Sequence, residues 1–204
     1  MGHPGSSADH LAPIVADASL WIALAATDCA AEVLSALARP VLITDVAQAE
    51  LERGRAKGRQ AAAAVELLVA SERVRVVTLP PSTLEIFSDL VIGEGPETLD
   101  DGEAATIAMA HTLNGAAVID ERKARRMAQE RFATLELRCT AELLLAQEVV
   151  AALGPARCAN AIFAALRETR LRVPTDFLGT VLSAIGVERA RQCPSLPARS
   201  RTAS

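Results

Sequence analysis

The sequence predicts an α/β fold in which a parallel sheet is covered by helices on both faces and is followed by a C-terminal helical pair. Three observations carry this. Short apolar runs of strand length alternate with longer segments of helical periodicity. Two of those runs stay apolar until they end in an aspartate, at Asp17 and at Asp120. A Gly154-Pro155 break then separates the alternating region from two further helical segments that meet near Pro174.

Along the chain, Pro13–Asp17 reads as the first strand, and Ser19–Leu37 as one long Ala- and Leu-rich helix closed by Arg39-Pro40. Val41-Leu42-Ile43 forms the second strand, and Thr44 or Asp45 caps a helix running to about Gly54. Gln60–Ala70 is helical. Val74–Leu79 is the third strand, stopped by Pro80-Pro81, and Ser88–Thr98, with Gly93, Gly95 and Pro96, reads as a loop. A helix opens at Leu99–Glu103 and ends at Asn114-Gly115. Ala116–Asp120 is the fourth strand, Arg122–Arg131 a basic helix and Thr134–Arg138 a fifth strand. Ala141–Val150, Arg157–Glu168 and Asp176–Ile185 are helical. This divides the chain into a main domain at 12–150 and a helical extension at 151–188. Residues 1–11 and 189–204 are expected to be disordered.

With 204 residues, 50% of them hydrophobic, the chain can bury a core without staples. No apolar run is long enough to span a bilayer. The first residues lack the basic region and apolar block of a secretory signal and read as a flexible leader. Cys29, Cys139, Cys158 and Cys193 are scattered, which argues against a zinc site or disulfide framework and suits a reducing cytoplasm. Net charge is −4, aromatics are 2% of residues and Tyr is absent, so any polynucleotide partner must be held without stacking platforms or a uniformly basic surface.

The chemistry-bearing residues are acids. Ligands of an open parallel sheet collect at the carboxyl ends of its strands, where Asp17 and Asp120 fall. Glu50 lies on the helix after the second strand and Glu103 in the first turn of the helix before the fourth. If strands one, two and four are neighbours, all four meet on one rim. Crowded carboxylates raise one another's pKa values, and a divalent ion resolves that conflict. An all-oxygen donor set favours Mg²⁺ or Mn²⁺, which can activate water for attack on a phosphodiester.

Each acid also has a simpler explanation. Asp17 and Asp120 can cap the helices that follow, Glu50 can be a solvated helix residue, and Asp100 with Glu103 has capping-box spacing. His111 is better read as a packed histidine than as a ligand. Arg122, Lys123, Arg125 and Arg126 either meet phosphates at the rim or form a solvated face. Ser19 lacks a His–Asp partner and a G-x-S-x-G elbow, and no glycine-rich phosphate loop is present. A receiver-like phosphatase site would want a second Asp beside Asp17, which Ala18 and Ser19 do not supply.

Four blocks in order resemble the PIN-domain (VapC-like) ribonucleases. Val15-Ala16-Asp17-Ala18-Ser19-Leu20-Trp21-Ile22 is similar to the family's opening strand and turn, and Ile43–Leu51 to its second block, whose last acid is a metal ligand in the family. Leu99–Ala108 resembles the G-E-A helix start of one branch. Val118-Ile119-Asp120-Glu121-Arg122-Lys123-Ala124-Arg125-Arg126 resembles the strand and basic helix that follow it there. The likeness spans about Ile14 to Leu145, and the branch also carries a C-terminal helical pair. The resemblance implies a three-layer α/β/α sandwich with a mainly parallel sheet. It implies a Mg²⁺- or Mn²⁺-dependent endoribonuclease, often the toxin of a toxin–antitoxin pair. Asp17, Glu50, Glu103 and Asp120 carry over as metal-binding catalytic residues and Ser19 as a supporting hydroxyl. Asp101 and Glu121 stand as alternative donors beside Glu103 and Asp120. The expected partners are RNA, an antitoxin protein and a second copy of the chain in a homodimer. The competing reading is a catalytically weak PIN-like module that binds RNA or protein.

Overall fold

The computed structural model describes residues 11–57, 60–93 and 95–202. Of the leader expected at 1–11, residues 1–10 lie outside them. Five parallel strands form one sheet: β1 (Ile14–Ala16), β2 (Val41–Thr44), β3 (Val74–Val77), β4 (Ala116–Val118) and β5 (Glu136–Arg138), in the order β3-β2-β1-β4-β5. The chain steps outward from β1 to β3, then returns to build on the other side of β1. The sheet's topological switch therefore lies between β1 and β4, whose register pairs Ala16 with Val118.

Alternate residues of the central strands enter two separate cores, which makes three layers. Ile14, Ala16, Val41, Ile43, Ala116 and Val118 face one core, while Val15, Leu42, Ala117 and Ile119 face the other. The first core is covered by α1 (Ala18–Ala25), α2 (Ala30–Ala36), α3 (Asp45–Arg55) and α4 (Ala61–Ala70). The second is covered by α5 (Pro81–Val91), α6 (Asp101–Thr112) and α7 (Arg122–Arg131). After β5 come α8 (Thr140–Leu144), α9 (Gln147–Leu153), α10 (Pro155–Glu168), α11 (Leu178–Ile185), α12 (Val187–Arg191) and α13 (Ala198–Thr202). Ile162, Leu166, Val181 and Ile185 of this extension are buried in the same core as α1 and α4.

Several local expectations are corrected. The long helix expected at Ser19–Leu37 is two. Thr27 bonds back to the Leu24 carbonyl through both its amide and its hydroxyl, tightening the last turn and ending α1. Ala141–Val150 likewise splits into α8 and α9 at Leu145-Ala146. The loop expected at Ser88–Thr98 begins as helix. Pro81 occupies the first turn of α5, where its missing N–H costs nothing, so Pro80-Pro81 starts a helix as well as ending the strand. Residues Arg189–Thr202, expected to be disordered, form α12 and α13 around buried Cys193 and Leu196. The Ser195 Oγ lies 2.7 Å from the carbonyl oxygens of both Leu166 and Thr169, which share its single O–H donor. This segment packs because its few apolar residues join the core that α10 also enters, which a composition rich in Arg, Ser and Pro does not reveal.

Asn114, at φ 49°, ends α6, and Gly115 then brings the chain against β1. A Cβ at Gly115 would stand 2.4 Å from the Pro13 carbonyl oxygen, the acceptor of the Ala116 amide at 2.9 Å. Only glycine allows β4 to enter the sheet there.

Candidate metal centre

Asp17 follows β1 directly, and Asp120 lies two residues beyond β4, so the two acids emerge side by side at the switch point. The start of α1 is tied to its strand by the Trp21 indole, which donates to the Ala16 carbonyl at 3.3 Å. Asp17 does cap α1, its Oδ2 accepting from the Ser19 amide at 3.3 Å. That role uses one oxygen, and Oδ1 faces α6. Asp120 does not cap α7. Its two oxygens are held by Thr140, through the backbone amide at 2.8 Å and the hydroxyl at 2.7 Å.

Glu50 reaches the same place from the middle of α3, and Glu103 from the first turn of α6. All four expected acids line one cavity of about 220 Å³, with Ser19, Asp100 and Glu121. Asp101, the alternative donor beside Glu103, is exposed and does not line it, whereas Asp100 does. Asp100 stands at the N-cap of α6 without making a side-chain cap, so the capping-box explanation is not realised by that side chain. His111 packs instead against Phe132, with ring centroids 4.7 Å apart.

Gly102 supplies the room. A Cβ there would lie 2.8 Å from Glu50 Oε2 and 3.2 Å from Asp17 Oδ1, so α6 can approach both carboxylates only with glycine at this position. The roof is the segment Thr169–Arg172 at the end of α10, with Arg172 paired to Glu121. Thr140, Gly102 and Arg170–Arg172 were not legible as site residues. Thr140 reads as an ordinary helix start, and the arginines lie more than a hundred residues from Asp17 in sequence.

Burial makes these carboxylates poor anions in isolation. It pushes Asp17 above the ordinary carboxylate range, against the opposing pull of the Ala18 and Ser19 amides. Burial, then the nearby charges of Asp17 and Asp100, push Glu103 up to about 7. Asp120 is raised to about 6, again mainly by burial, with the Thr140 bonds working the other way. Among the described residues the Ser19 hydroxyl is buried with no hydrogen-bond partner of good geometry, and it lies close enough to Asp17 and Asp120 to favour their charged forms.

A hard divalent cation fits this chemistry: the donors are all oxygen, they crowd one another, and a polar atom is left unpartnered beside them. The cage is not closed, however. Among the described residues no three Asp, Glu, His or Cys side chains stand close enough together to hold an ion.

A family model described as a PIN domain, DUF3368, matches residues 13–187. No curated protein and no solved structure matches the chain. PIN domains are in general nucleases and typically use divalent metals. The match runs from the strand that leads into Asp17 past the segment that roofs the cavity, and over that span the chain belongs to the PIN-domain family.

Proposed function

We propose that this protein is a metal-dependent endoribonuclease that hydrolyses RNA phosphodiester bonds in the acid-lined cavity. The observation that carries the reading is the convergence of Asp17, Glu50, Glu103 and Asp120 on one recess at the sheet's switch point. Asp17 and Asp120 would hold a Mg²⁺ or Mn²⁺ ion, with Glu50 and Glu103 completing its shell through modest side-chain rotation. The chemistry such an ion supplies is charge neutralisation at the phosphate and a lowered pKa for the attacking water.

The chain's own groups do the rest. Thr140 fixes Asp120 in one orientation, so this acid needs no reorganisation to bind. Glu103, in the first turn of α6, would either complete that shell or orient the attacking water. Arg170 and Arg172 at the roof supply positive charge where phosphate oxygens enter. Burial of the acids keeps bulk water from screening these interactions.

The test is cleavage of a labelled RNA with Mn²⁺ or Mg²⁺ by the protein and by Asp17→Asn. Loss of cleavage on this substitution is expected, and unaffected cleavage would sink the assignment. That no donor trio stands preassembled among the described residues favours one second reading, a catalytically weak module that binds RNA or protein. It predicts a stable complex without metal-dependent cleavage in the same assay. The toxin role and an antitoxin partner belong to the proposal through the likeness of the sequence blocks. A neighbouring short reading frame for a DNA-binding protein would support them. A homodimer is proposed with them, and light scattering of the purified chain tests it.

A further inference from the structure

At Gly154, where φ is 82°, the chain bends by 111° between α9 and α10. Helix α2 packs against α9 in this corner, and Arg73, from the turn between α4 and β3, reaches across to it. A recess of about 460 Å³ opens there. Its apolar lining is Ala31, Ala36, Ala152 and Leu153, and its polar lining is Arg73, Arg157, Glu32 and Ser35. It shares no lining residue with the acid cavity, whose roof begins at the other end of α10. From Arg157 to Thr169 the separation along that helix is about 18 Å.

The two arginines gain little from the fold. Arg157 pairs with Glu32 at 3.2 Å, but both side chains are about half exposed, so the pair adds little stability. Arg157 also stands in the first turn of a 14-residue helix, where a cation opposes the positive end of the helix dipole. That turn holds no acid and has no side-chain cap. Arg73 donates from one terminal nitrogen to the Ser35 hydroxyl and to the Ala31 carbonyl. Each guanidinium therefore spends one nitrogen, and among the described residues its other N–H groups have no protein partner. Glu32 is the one acid in the lining. Its own backbone amide, the Arg157 hydrogen bond and the charges of both arginines hold it below the usual carboxylate range, so it is ionised. Asp28 also acts on Arg157, but it is exposed and does not line the recess.

We infer that this recess binds a small monocarboxylate with an apolar body, its carboxylate held between Arg73 and Arg157. Guanidinium forks match a planar carboxylate, and two of them converge here from elements far apart in sequence. Two arginines less Glu32 leave a single positive charge in the lining, which suits a monoanion better than a phosphate dianion. The alanines and Leu153 offer apolar surface with no side-chain donors, and their small size leaves the room. No aromatic side chain lines the recess, so a nucleobase would find nothing to stack on. The site is independent of the nuclease reading, since neither RNA nor metal takes part in it.

The experiment is a two-dimensional amide NMR titration of the full chain in EDTA, with hexanoate, hexanol and inorganic phosphate as probes. Hexanoate is expected to saturate and to shift amides of α2 and of the α9–α10 junction. Hexanol and phosphate should each bind about ten-fold more weakly or less. Arg73→Ala with Arg157→Ala should weaken hexanoate at least about ten-fold, and Arg53→Ala, exposed on α3, should leave it unchanged. Both arginines are exposed, so the double variant should fold. Arg73→Lys with Arg157→Lys keeps the charge and loses the forks, and should weaken hexanoate by a smaller factor. No saturation by hexanoate, equal affinity for hexanol or phosphate, shifts clustered elsewhere, or unchanged affinity in both arginine variants would each overturn the site. Loss of the nuclease reading would leave it standing.

Discussion

Thr140 holds Asp120 with both of its donors, the amide on Oδ1 at 2.8 Å and the hydroxyl on Oδ2 at 2.7 Å. The residue that opens α8 after β5 thus orients the acid that leaves the neighbouring strand β4. Two strands, not one, set the position of this carboxylate.

Thr140→Val keeps the shape and removes the hydroxyl. A buried carboxylate short of one donor is expected to cost about 1–2 kcal/mol of stability, read by urea unfolding. Because the lost bond favours the charged form, Asp120 should titrate higher, moving the acidic limb of the cleavage profile upward. Thr140→Ser restores the donor and should restore both properties.

Gly102→Ala separates activity from stability. The added methyl meets Glu50 Oε2 at 2.8 Å and Asp17 Oδ1 at 3.2 Å, so both carboxylates must move. Alanine improves helix propensity by up to about 1 kcal/mol, which offsets the crowding in the stability balance. Cleavage should fall on the order of ten- to a hundred-fold with a nearly unchanged melting temperature. Equal loss of both would mean that Gly102 serves packing alone.

The buried acids predict how the metal-free chain responds to pH. Asp120 rises from 3.8 to about 6 and Glu103 from 4.5 to about 7 on folding, and Asp17 moves in the same direction. Between these limits the folded chain binds more protons than the unfolded chain, so stability falls as pH rises through the window. The slope is at most about 1.4 kcal/mol per pH unit for each group. In EDTA the melting temperature should be lower at about pH 7.5 than at about pH 5, with Mg²⁺ or Mn²⁺ restoring it mainly at the higher pH. A flat profile without metal response would contradict a site built on these acids.

Leu196→Ala probes the chain end. Leu196 is 3% exposed in the core shared with α10. Its truncation is expected to cost about 2–3 kcal/mol, within the usual range for a buried leucine. Truncation after Glu188 should cost more, because it also removes Cys193 and the Ser195 bonds to Leu166 and Thr169. The second bond anchors the start of the cavity roof, so cleavage should suffer along with melting temperature. Unchanged stability would show that the C-terminal packing contributes nothing.

The strands, the basic helix α7 and the helix that begins near Asp101 were legible because apolar runs and helical periodicity are local patterns. The breaks inside the expected long helices were not. They depend on how Thr27 and the Leu145-Ala146 junction answer to neighbouring packing. Likewise the chain end past Arg189 looked too polar to order, yet Ala190, Cys193 and Leu196 are buried in the core that α10 also enters.

The sequence by itself determined an α/β chain with acids at the ends of two buried strands and on two helices, since residue type and spacing suffice for that. It also held the blocks that place the chain in its family. Only the tertiary structure decided that β1 and β4 are neighbours, which brings Asp17 and Asp120 together at the switch point. It alone placed Gly102 against Glu50, Thr140 on Asp120, and Arg172 over the cavity. The physical reason is sequence distance: each of these contacts joins segments that share no periodicity and meet only once the sheet order is set.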